Sequence, residues 1–153
     1  QNITIQIAAI SSFVQAKGNI ISSGPATQFY GGHFVCGGIM EVANLGRDGA
    51  EKTAVDVGVD WERYLKIRAM KAEMEALQES ADGKDAANAL KHEIALLSHE
   101  FEYNTKATVS VKGALSPNIH LTIAGKTIGV PEEYNNVSVS SKLNKGTFFT
   151  GNN

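Results

Sequence analysis

The side chains best placed to do chemistry lie near the middle of the chain. His92-Glu93-Ile94-Ala95-Leu96 starts like the helical zinc-protease motif, in which two histidines four residues apart bind the metal and the glutamate activates water. Leu96 stands where the second histidine is required, so that ligand pair does not exist. His99 does not replace it, because on a straight helix it lies about 10 Å from His92, too far to share one ion. Both histidines read as solvated helix residues. Gly31-Gly32 and Gly37-Gly38 lack both the Gly-Lys-Ser/Thr ending and the Gly-x-Gly-x-x-Gly spacing of phosphate loops, and read as turns. Asp48, Glu51 and Asp56 are the only carboxylate group near the first β segments, and Glu132-Glu133 follow Pro131; all five read as solvated surface. Cys36 is the single cysteine. It excludes an intrachain disulfide, fits a reducing compartment and reads as a small buried apolar residue. No catalytic, cofactor-binding or metal-binding residue is assigned.

The elements that would position any site change period in mid-chain. Ile3-Thr4-Ile5-Gln6-Ile7 alternates as a strand, and Phe13-Val14-Gln15-Ala16-Lys17-Gly18-Asn19-Ile20 is echoed by Phe34-Val35-Cys36-Gly37-Gly38-Ile39. The two phenylalanines recur about 21 residues apart, a period in the solenoid range. Val55, Val57 and Val59 alternate again. Later, Val109 and Val111, then Ile119, Leu121 and Ile123, then Val137 and Val139 repeat the pattern. These sets can line an interior while Ser110, Lys112, His120, Thr122 and Ser138 face outward. Regular Asn-Gly or Asp-Gly hairpin signals are missing, which favours parallel coils over an antiparallel sandwich.

Between these β segments, Asp60 to Tyr103 reads as two amphipathic helices joined by Ala81-Asp82-Gly83-Lys84-Asp85. Asp60 is the expected N-cap and Trp61 the first helical residue. Ile67, Met70, Met74 and Leu77 on one helix, and Ala87, Leu90, Ile94, Leu97 and Phe101 on the other, follow heptad spacing. Trp61, Tyr64, Phe101 and Tyr103 are expected at the base as an apolar anchor. The expected fold is therefore mainly β with an α insertion: a right-handed parallel β-helix, residues 1–59 with 106–153, interrupted by an antiparallel two-helix coiled coil, residues 60–105.

A chain of 153 residues with 42% hydrophobic content can bury one core, and its formal net charge of −2 supplies no basic field for nucleic acid. No apolar run is long enough to cross a bilayer, so membrane insertion is not expected. A strand at the very first residues would leave an open sheet edge, from which a fragment of a longer protein is expected.

The succession Ile10-Ser11-Ser12-Phe13-Val14-Gln15-Ala16-Lys17-Gly18-Asn19-Ile20, then Gly31-Gly32, Gly37-Gly38-Ile39 and Thr53-Ala54-Val55-Asp56-Val57-Gly58, resembles the conserved region of bacterial flagellar assembly protein A. The resemblance continues after the helices in Ala107-Thr108-Val109-Ser110-Val111-Lys112-Gly113 and on to Ile119-His120-Leu121-Thr122-Ile123-Ala124-Gly125. Ser116-Pro117-Asn118 stands where a Tyr/Pro-Gly type turn is more usual in that family, and Ala124 where a glycine pair is common. The resemblance implies a cytoplasmic bacterial protein of flagellar assembly or polar flagellar placement, recruited to the cell pole, with no catalytic motif to transfer.

The expected function is a non-enzymatic scaffold whose hairpin docks proteins of flagellar assembly, polar localisation or their regulation. Glu73, Lys84 and Lys91 are the expected partner-binding residues. Two alternatives stand beside it: a carbohydrate-active or ligand-binding β-helix, and a homo-oligomer that self-assembles through exposed coils.

Overall fold

The computed structural model of this chain describes residues 1–141 and the backbone of 149–151. It divides into two compact units, Gln1–Val59 with Tyr103–Asn153, and Asp60–Glu102.

The first unit is built of β-strands in one mixed sheet. Before the helical unit come β1 (Ile3–Ile5), β2 (Ala8–Ala16), β3 (Ile20–Ser22), β4 (Gln28–Cys36), β5 (Met40–Val42), β6 (Asn44–Leu45) and β7 (Thr53–Val57). After it come β8 (Thr108–Leu115), β9 (Ile119–Ile123), β10 (Lys126–Ile128), β11 (Tyr134–Ser140) and β12 (Phe149–Gly151). Strands β1, β3, β5 and β8 pair in parallel as one ladder. Strands β2, β4, β7 and β9 form a second. The short β6 pairs with both β4 and β8.

Alternation of side chains explains why these segments stack. Val55 and Val57, Val109 and Val111, Leu121 and Ile123, and Val137 and Val139 are all buried, while Lys112 and His120 between them are exposed. Phe29, Phe34, Ile20, Met40, Leu45 and Leu115 fill the same interior, with the Phe29 and Phe34 rings edge-on at 5.5 Å.

The register differs by one residue from the Phe13–Phe34 repeat. Phe34 pairs with Val14, and Phe13 pairs with His33. A one-residue slip in a strand reverses the face a side chain occupies. Phe34 accordingly lies in the core at 0% exposure and Phe13 is 51% exposed. The repeat that burial respects sets Val14, Ala16 and Ile20 against Phe34, Cys36 and Met40, not one phenylalanine against the other. Gly31-Gly32 is not a turn either. It lies inside β4 at φ +66° and +72°, opposite Ser11 at φ +45°, and the register is the same on both sides, Ile10 with Tyr30 and Ser12 with Gly32.

Beyond β8 and β9 the parallel expectation gives way. β10 turns back antiparallel on β9, and β11 runs antiparallel to both β8 and β12. The reversal is the two-residue turn Ala124-Gly125, at φ +48° and +76°, a primed turn that matches strand twist.

Side-chain amides pin neighbouring parallel strands where their turns meet. Asn2 Oδ1 accepts from the Asn19 N–H at 2.9 Å, and Asn19 Oδ1 accepts from the Ile39 N–H at 2.9 Å. The residue just before each of β1 and β3 thus supplies the acceptor for an amide just before the next strand of the ladder.

Within the β unit, the residues that flank the insertion meet. Gly58 O accepts from the Asn104 N–H at 3.0 Å, and a Cβ on Gly58, whose φ is +73°, would strike Ala107. The Asn104 side chain also donates to Gly37 O, and the Tyr103 ring covers Gly125. The two ends of the insertion are therefore adjacent on one body.

In the second unit, α1 (Trp61–Gln78) and α2 (Lys84–His99) are joined across residues 79–83. The loop is shorter than the composition implies, because Lys84 and Asp85 already belong to α2. Gly83 packs so closely on the Leu77 backbone that a side chain there would collide with it. Ile67, Met70 and Ala87 are buried and Met74, Leu77, Leu90, Ile94, Leu97 and Phe101 half-buried, so the heptad positions form the contact seam.

Asn19→Ala leaves the Ile39 amide without its acceptor, and we expect a loss of about 1–3 kcal/mol of stability. Urea unfolding checks it. A change within error would show that this pin does not hold the parallel strands together.

Candidate functional site

The helical unit places its candidate docking residues on its surface. Glu73 lies in the second half of α1, Lys84 opens α2 next to the loop, and Lys91 lies mid-way along α2. All three are exposed, and no hydrogen bond or ion pair among the described residues joins them. They are spread along the hairpin and form no cluster. Two apolar side chains share that exposure: Leu65 on α1 at 39% and Leu96 on α2 at 55%. Sequence reasoning passed over both, since each falls outside the heptad seam. Their signal was that same displacement, because a leucine off the seam of a two-helix unit has no partner helix to cover it.

At the base of this unit Trp61 and Tyr64 stack with ring centroids 5.8 Å apart. Asp60 caps α1, accepting from the Arg63 N–H at 3.3 Å and from Arg63 Nη1 at 2.7 Å. It also accepts from the Glu102 N–H at 3.0 Å. Burial acts to raise the Asp60 pKa, but the Glu102 amide and then Arg63 outweigh it and hold the carboxyl below its usual 3.8. The group is thus more acidic folded than unfolded. Its stabilisation is complete above the unfolded value and is lost as pH falls through the lower folded one.

On the β unit, the closest polar contact lies on the outward face of the second ladder. His33 Nε2 meets Asp56 Oδ2 at 2.5 Å, diagonally across β4 and β7, and the Phe13 ring lies 5.5 Å from the His33 ring. His33 was not singled out in the sequence. Only the register, which sets His33 opposite Ala54, brings it to Asp56. Asp48 and Glu51 do not join this pair. Asp48 Oδ1 accepts from the Gly49 N–H, and the Glu51 carboxylate occupies the space beside Gly31. Glu132 and Glu133 are exposed between β10 and β11.

A histidine–carboxylate pair can orient a proton carrier, and no group of three or more His, Cys, Asp or Glu side chains among the described residues could hold a metal ion. His92 and His99 are both exposed on α2. A groove of about 180 Å³ between Ser22, Ser23, Glu41 and Lys112 is smaller than the ~300–1,000 Å³ of most small-molecule sites. No helix among the described residues is long and apolar enough to cross a membrane. Comparisons with protein-family models, curated proteins and solved structures find no match to this chain.

Cys36 is fully buried, and its Sγ lies 3.5 Å from Ile39 O. Desolvation pushes its pKa up to about 12, so almost no thiolate is present at neutral pH. We expect a thiol reagent at pH 8 to leave the folded protein unmodified and to label Cys36 at once in denaturant. Rapid labelling of the folded chain would show that the end of β4 around Cys36 opens.

Proposed function

We propose that this protein is a non-enzymatic scaffold whose helical hairpin docks other proteins and whose β unit, wound as a right-handed parallel β-helix, holds it in place. The winding is supported by two parallel ladders that advance roughly 20 residues per step, together with the strong right-handed preference of parallel crossovers.

The observation that carries the docking role is the division of labour within the hairpin. Its seam is occupied by its own two helices, and its outer faces present Leu65 and Leu96 with the charges of Glu73, Lys84 and Lys91. Partly exposed apolar side chains supply most of the energy of a protein contact, and surrounding charges tune its rate and choice of partner. The resemblance of residues 10–58 and 107–125 to flagellar assembly protein A gives the partner class: cytoplasmic proteins of bacterial flagellar assembly or polar flagellar placement, met at the cell pole.

The test replaces residues 73–91 with an unrelated hairpin of equal length and the same seam, in flagellated cells that depend on this protein. We expect flagellar number or position to be lost while circular dichroism shows the fold retained. Normal flagellation with a folded variant would move docking to the β unit.

A further inference from the structure

Asp60 opens the helical unit and Glu102 ends it, and a single side chain ties the two together. Oδ1 of Asp60 accepts from the Arg63 N–H at 3.3 Å, the bond expected of an N-cap. Oδ2 accepts from the Glu102 N–H at 3.0 Å, across 42 residues of sequence, and from Arg63 Nη1 at 2.7 Å. The side chain is 13% exposed. A cap needs one acceptor oxygen. Asp60 uses its second on the returning chain.

We propose that Asp60 is a clasp as well as a cap: its two carboxylate oxygens bind the entry and exit of the hairpin to each other, so that the two ends of the helical unit move as one piece. Whatever the arm binds, a load on α2 then reaches the start of α1 through the Glu102 amide. Arg63 supports the arrangement by neutralising the oxygen that holds Glu102, and the carboxyl's lowered pKa agrees with charge-assisted bonds at that position. An ordinary N-cap makes no such link, and its loss would simply fray the first turn of α1.

Asparagine separates the two roles, because it caps helices as well as aspartate does but offers one acceptor oxygen and an NH₂ that can only donate. The experiment is amide hydrogen exchange by NMR on the whole chain, comparing wild type with Asp60→Asn. Arg63 and Glu102 should both be protected in the wild type. In Asp60→Asn at least one of them should exchange about tenfold faster or more, the effect of losing a charge-assisted hydrogen bond, while Leu90 and Ile94 on the seam stay within about twofold. Protection of both amides in Asp60→Asn would overturn the proposal. So would equal acceleration of the seam, which would make Asp60 a cap whose loss melts the helices.

Discussion

Parallel strand register is the constraint on which the rest of the structure depends. Each strand must place its inward side chains over those of the strand it pairs with, because the two ladders share one interior. Val14 against Phe34 and Val55 against Leu121 are instances of that requirement. The carboxamides of Asn2 and Asn19 support it from the residues before β1 and β3, by accepting an amide from beside the next strand of the ladder. The matched irregularity of Ser11 with Gly31-Gly32 serves the same end, since a bulge in one strand alone would throw every later residue onto the wrong face.

That constraint also explains how a helical unit can interrupt the β unit. The pairing of β7 with β9 and of β5 with β8 crosses the insertion without change of direction. Gly58 and Asn104 bring the two ends within one hydrogen bond. The intervening residues need only leave and return at that spot, and the helices meet the demand with a seam of their own. The outer faces lie off that seam, which is why the proposed docking role is assigned to them.

Much of this architecture was legible because alternation is a strong signal wherever it is strict. Val109 and Val111, then Ile119, Leu121 and Ile123, and Val137 and Val139 all proved inward-facing, and the seam from Ile67 to Leu97 proved the least exposed part of the helices. Legibility failed where tertiary context overrode local type. Phe13 and Phe34 look equivalent, but the strand partner of Phe34 is the smaller, half-buried Val14. Ala124 takes a left-handed turn position usually left to glycine or asparagine, which hid the antiparallel return. His33 and Asp56 are distant in sequence and meet only through register, while the second acceptor role of Asp60 depends on a residue beyond the far end of α2.

The central claim is that the hairpin's outer faces, and not the β unit, meet the partner. Photo-crosslinking in flagellated cells tests it most directly, with a photoreactive side chain placed in turn at Glu73, Lys91 and Leu96, and at the outward body positions Lys112 and His120. The account predicts adducts to flagellar assembly or polar placement proteins from the hairpin positions and none from the body. Adducts to those proteins concentrated at Lys112 and His120, with the hairpin silent, would contradict it.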